Sequence, residues 1–109
     1  MMVIDTDAAP VMSAVTYFET GVLAVARRGR LGVQEVEALV RRSRIAIVSF
    51  DQEQADLACA AFEKYGKGLH PARLNFADCA AYALAKCSGE PLLFKGDDFA
   101  RTDVEPAAR

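Results

Sequence analysis

Two rhythms of apolar and polar positions alternate along this chain. Met2-Val3-Ile4-Asp5-Thr6 is a short apolar run that ends in an acid, and predicts a buried strand. Asp7-Ala8-Ala9-Pro10 breaks it, and Val11-Met12-Ser13-Ala14 predicts a second short strand. From Thr16 to Arg28 the spacing becomes helical, through Phe18, Val22, Leu23 and Val25, until Gly29 ends the helix. Val33 to Arg42 repeats the pattern through Val36, Leu39 and Val40. Ile45-Ala46-Ile47-Val48-Ser49-Phe50 is β-branched and apolar on both faces, the pattern of an interior parallel strand. Asp51 with Gln54 makes a capping box that opens a helix running to about Tyr65. After the basic, glycine-rich loop Gly66-Lys67-Gly68-Leu69-His70-Pro71, Asn75 caps a helix that runs to about Lys86 and is stopped by Gly89. Leu92-Leu93-Phe94 is the last core strand. Strands alternating with helices predict an α/β layer fold with a mainly parallel central sheet flanked by helices. No repeat, linker or low-complexity segment interrupts residues 1–109, which read as a single domain.

Composition agrees with one globular core: 109 residues, 52% hydrophobic and 26% charged. No apolar run approaches the roughly 18 to 20 residues of a membrane span. Met1-Met2-Val3-Ile4-Asp5 lacks the charged and apolar regions of a signal peptide, so a cytoplasmic location is expected. Cys59, Cys79 and Cys87 have no CxxC spacing and sit among alanines, where small buried thiols fit; neither a disulfide framework nor a zinc site is indicated. A net charge of −2 and a pI near 5.3 argue against gripping nucleic acid mainly by a basic field. A polyanionic substrate would need a metal to help hold it.

The acids are placed where such a metal would sit. In open parallel sheets sites form at the carboxyl ends of strands, and Asp5 and the pair Asp97-Asp98 each follow a predicted strand. Asp78 falls in the first turn of the helix after Asn75, where the dipole favours an anion, and Glu19 can bring another carboxylate to the same edge. Clustered carboxylates repel unless a cation lies between them, and Mg²⁺ or Mn²⁺ are the hard ions that prefer oxygen ligands. Such an ion can orient a phosphodiester, generate a hydroxide and stabilise a leaving oxygen. Substrate contacts are expected from Lys64, Lys67, His70 and Arg73, joined by Lys95.

Each residue also has a plainer use. Asp78 can be only a cap, Glu19 a solvated helix residue, Asp97-Asp98 turn chemistry after Gly96, and His70 a surface loop residue. Asp5 is harder to dismiss, because a carboxylate ending an apolar strand must be compensated. Ser13, Ser43, Ser49 and Ser88 lack a G-x-S-x-G context, and no GxxxxGK[ST] loop is present.

Three stretches, "MVIDT", "MSAVTYFETGVL" and "GKGLHPARLNFADCAAYALAKCSGEPLLFKGDDFARTDV", together resemble the PIN-domain toxins of the VapC type, and the likeness covers nearly the whole chain. The resemblance implies a Mg²⁺-dependent endoribonuclease, the toxin of a type II toxin-antitoxin pair, working as a homodimer and restrained by a VapB-type antitoxin. It matches the family's acids to Asp5, Glu19 and Asp78, with Asp5 and Asp78 as metal ligands. The final acid falls in Gly96-Asp97-Asp98-Phe99, with Asp98 favoured and Asp97 a possible additional acid.

One departure from the family stands out. Members carry about two short helices between the first strand and the strand before the T-Y-x-E motif, whereas here only Thr6 to Pro10 intervene. A link that short makes a hairpin or a bend, not a right-handed crossover, so the first two strands cannot both hold their family positions within one subunit. The alternatives are an internal deletion between residues 5 and 11, or a first strand placed differently, by exchange between protomers. Two rival functions follow from the same acids. One is a haloacid-dehalogenase-type phosphatase, in which Val3-Ile4-Asp5-Thr6-Asp7 supplies an aspartyl nucleophile and Gly96-Asp97-Asp98 a late acidic motif. The other is a catalytically degenerate PIN-fold binding module.

Overall fold

A computed structural model describes residues 10–66 and 74–89 in full, and residues 3–5 and 92–93 as backbone. The elements run β1 (Val3–Asp5), β2 (Pro10–Ser13), α1 (Ala14–Arg42), β3 (Ala46–Val48), α2 (Gln52–Tyr65), α3 (Phe76–Ser88) and β4 (Leu92–Leu93). The strands form one sheet in the order β3-β2-β1-β4.

The expected α/β layering is present, but the sheet is less parallel than the residue pattern predicts. β2 and β3 are parallel, with Val11, Met12 and Ser13 opposite Ala46, Ile47 and Val48. β1 runs antiparallel to both β2 and β4, with Ile4 opposite Val11 and Asp5 opposite Pro10. The cause is the connection: only residues 6–9 join β1 to β2, enough for a hairpin and too few for the dozen or more residues of a parallel crossover. β3 is a further correction. It lies at the edge of the sheet, not its interior, and is confined to residues 46–48, with Ala46 and Ile47 exposed.

α1 is one element by its hydrogen bonds yet two helices by its backbone, since Gly29 adopts φ 57° and ψ −139° between helical arms. A left-handed φ of this kind is open to glycine at little steric cost. The break falls where the glycine predicts it, and the arms fold back on each other. Gly32 is buried there, and a Cβ on it would stand 2.3 Å from the Ala24 carbonyl oxygen. Arg28 of the first arm pairs with Glu35 of the second.

α2 begins where expected, with the Asp51 carboxylate accepting from the Gln54 N–H at 2.9 Å. The reciprocal half of that capping box is missing, because the Gln54 side chain donates instead to the Ser49 carbonyl. α3 sits at the centre. It packs on α2, α1 and β2, and every residue from Ala77 to Ala85 is buried. Alanine dominates that stretch because a helix covered on several sides leaves room for little more than a methyl group. Tyr65 and Tyr82 meet at a ring separation of 5.7 Å, with Leu74, Ala61 and Leu84 around them. Cys79 joins this core, whereas Cys59 and Cys87 are exposed, contrary to the expectation of three buried thiols. Their alanine neighbours lie on a helix and do not specify which face is covered. No described helix is long and apolar enough to cross a membrane.

Candidate active site

The site is assembled from the starts of two helices. Ser13 ends β2 and caps α1, its hydroxyl accepting from the Val15 N–H at 3.2 Å. From there Thr16, Glu19, Thr20, Leu23, Ala24 and Arg27 follow at helical spacing and line one wall of a pocket of about 330 Å³. Ala77 and Asp78, from the first turn of α3, and Val36 of the second arm line the same pocket. Glu19 and Asp78, more than fifty positions apart in sequence, thus share one cleft.

Asp78 does its plainer work as well. Its Oδ2 accepts from the Asn75 N–H at 3.1 Å, and Asn75 Oδ1 accepts from the Asp78 N–H at 2.9 Å, closing a complete capping box. The box fixes the carboxylate at the positive end of the α3 dipole. Next to it, the Cys79 thiol is pushed up to about 11 by burial, reinforced by Asp78 and Cys59, so it is a packed thiol and not a nucleophile at neutral pH.

Thr16 is 4% exposed, and its hydroxyl has no hydrogen-bond partner among the described residues. Sequence reading passed over Thr16 and Arg27. The signal available for Arg27 was its place eight residues beyond Glu19 on the same helix face.

The remaining expected residues divide by position. The register sets Asp5 opposite Pro10, at the end of β2 remote from Ser13, about 10 Å along the strand from where α1 departs. Asp97 and Asp98 lie outside the described residues, as do Lys67, His70, Arg73 and Lys95. Lys64 is described and stands over the Tyr65 ring at 5.2 Å, clear of the pocket's lining. Among the described residues no group of three or more His, Cys, Asp or Glu is placed to hold a metal ion. Two carboxylates and a buried hydroxyl around one cleft are nevertheless an all-oxygen donor set, the kind that suits Mg²⁺ or Mn²⁺ and not a softer ion.

The sequence profile of the PIN domain matches residues 3–105. The chain belongs to the PIN-domain family. Its relatives place it in the VapC branch. The protein named Ribonuclease VapC of Mycolicibacterium smegmatis is 48% identical over 93 residues, covering 85% of this chain and 72% of that one. Ribonuclease VapC30 of Mycobacterium tuberculosis is 44% identical over 105 residues, 96% of this chain and 80% of that one. Ribonuclease VapC42 of the same species is 45% identical over 98 residues, 88% and 74% of the two chains. The phosphatase reading gains no support from these likenesses. In this PIN domain the Asn75–Asp78 box explains why the N-F-A-D-C stretch begins a helix, and the Ser13 cap why a helix begins just before T-Y-F-E.

Proposed function

We propose that this PIN domain is a Mg²⁺-dependent endoribonuclease, with Mn²⁺ an alternative ion, and the toxin of a type II toxin-antitoxin module. The observation that carries the reading is the meeting of Glu19 and Asp78 in one cleft, together with relatives that are named ribonucleases. The proposed acid set is Asp5, Glu19, Asp78 and Asp98, with Asp97 an additional acid and Asp5 and Asp78 as metal ligands. Because the hairpin holds Asp5 at the far end of β2, the reading rests on the pair Glu19 and Asp78.

Bound there, a divalent cation would supply charge neutralisation and an activated water for phosphodiester hydrolysis. The chain does the rest. Asp78, held by its cap, and Glu19 line the same space. Arg27, at the end of that wall, offers a planar guanidinium that pairs two-pronged with a phosphate and so positions the backbone. Phe76, two residues before Asp78 and 86% exposed, presents an aromatic face on which an unstacked base can rest. Lys67, His70, Arg73 and Lys95 are proposed as further phosphate contacts.

A VapB-type antitoxin and a second copy of the chain are the proposed partners. Support for association comes from the exposed apolar stripe Phe18, Val22 and Val25 on the first arm of α1, since contiguous uncovered apolar stripes mark interfaces.

The test is cleavage of a panel of structured RNAs with Mg²⁺ or Mn²⁺, with and without EDTA. Metal-dependent cleavage that Glu19→Gln lowers by about a hundredfold or more supports the reading. A chain that binds these RNAs and never cuts them is the degenerate binding module instead.

A further inference from the structure

Thr16 is the third residue of α1, counting from Ala14, and that position explains its orphaned hydroxyl. A helical threonine ordinarily donates to the carbonyl four residues back, as Thr20 does to the Thr16 oxygen at 2.8 Å. Four and three residues before Thr16 are Met12 and Ser13, both in β2, and neither carbonyl accepts from its hydroxyl. Ser13 already caps the helix, which leaves Thr16 no capping role either. The hydroxyl is nevertheless buried with no partner among the described residues, and Thr16 lines the cleft together with Glu19 and Asp78. Buried hydroxyls are nearly always satisfied, and one left open beside two carboxylates in a cleft marks a place where a ligand brings the missing partner.

We propose that Thr16 is a positioning residue: its hydroxyl bonds to the hydration shell of a divalent cation held between Glu19 and Asp78. Mg²⁺ and Mn²⁺ suit this arrangement because they keep several waters when few protein groups bind them, and two acids leave much of the shell to be oriented by neighbours. A hydroxyl both donates and accepts, so it can meet a water in either orientation. The inference rests on the acid-pair reading of the cleft. It also has a consequence opposite in sign for stability and for binding: in the metal-free protein the unpaired hydroxyl is a destabilising group kept for the ligand.

Three proteins decide it: the full chain, Thr16→Val, which keeps the shape and removes the hydroxyl, and Thr16→Ser, which keeps the hydroxyl. Each is titrated with Mn²⁺ by calorimetry and melted in EDTA. The expected result is a Kd for Mn²⁺ raised about tenfold or more in Thr16→Val. Its metal-free Tm should rise by about 4 °C or more. Thr16→Ser should bind within about threefold of the parent, well inside that outer-shell effect. A parent that binds Mn²⁺ while Thr16→Val binds it equally well overturns the role of Thr16 and leaves the acid pair standing. A fall in metal-free Tm for Thr16→Val also overturns it, by showing that the hydroxyl is already satisfied without metal. A parent that binds no Mn²⁺ at all overturns the acid-pair reading, and this inference with it.

Discussion

The first arm of α1 and helix α3 carry comparable numbers of apolar residues and meet opposite fates. From Ala77 to Ala85 every residue of α3 is buried, whereas in the first arm only Thr16 is, and Phe18, Val22 and Val25 face outward, Phe18 at 71% exposure. The side chains explain the difference. A helix at the centre of a small domain is squeezed by its neighbours and is built largely of alanine, while the large residues Phe18, Val22 and Val25 of the first arm stay exposed among the described residues. Asp78 therefore stands on a rigid support and Glu19 on an arm with one free face. The cleft between them joins a fixed wall to one whose outer side is available to a partner.

Breaking the rigid side should have the largest effect. Leu74 is 0% exposed and leads into Asn75 and the capping box, so Leu74→Ala is expected to cost about 2–5 kcal/mol in urea unfolding. Overpacking tells the same story, with Ala83→Leu expected to cost about 1–3 kcal/mol. Asn75→Ala removes one partner of the box and should cost about 1 kcal/mol while loosening the Asp78 carboxylate. If Leu74→Ala proved neutral, α3 would not be the rigid wall.

The contrast also shows what a sequence discloses. Helical spacing located both helices, Gly29 marked the break and Asn75 the start of α3, because each of those signals is local. Which face of a helix is covered is not local. Spacing shows only that Phe18, Val22 and Val25 share a helix face; that this face is an outer one comes from the fold. β3 has the composition of an interior strand and sits at an edge, since strand order depends on pairings that periodicity does not encode. The four-residue link did announce a hairpin, and with it the reversed direction of β1. In the site, Asp78 was legible from its place in a first turn and Glu19 from its motif. Thr16 was not, because only the buried surroundings show that its hydroxyl has no partner.

On the exposed side, effects on the monomer should be small and effects on partners large. Val22→Ser is expected to change unfolding free energy by no more than about 0.5 kcal/mol. It should also dissociate the proposed homodimer, as read by sedimentation at about 10–50 μM, a range suited to an interface of ordinary strength. Phe76→Ala should likewise leave stability nearly untouched while weakening single-stranded RNA binding by about 1–3 kcal/mol, the worth of one stacked base. A monomeric parent at those concentrations would remove the argument that the stripe is an interface.

The smallest effect concerns the thiols. Native protein should expose Cys59 and Cys87 to a thiol reagent at pH 8 and release Cys79 only on unfolding. In the folded protein burial pushes the Cys79 thiol up to about 11, above its ordinary 9.0, so the folded state holds this proton more tightly. Its contribution is therefore fully present below about pH 9 and is lost as pH rises toward 11. Cys79→Ala should flatten the alkaline decline of Tm between those limits relative to the parent.

The most direct test of the central claim, that Glu19 and Asp78 form one divalent-cation site, is a calorimetric Mn²⁺ titration of Glu19→Gln beside the parent. Glu19 is exposed and caps nothing, so its loss should leave Tm within about 2 °C. The account predicts Mn²⁺ binding weakened at least about tenfold in Glu19→Gln at that unchanged Tm. Equal affinity in the two proteins would contradict it, and would leave Asp78 as the cap of α3 alone.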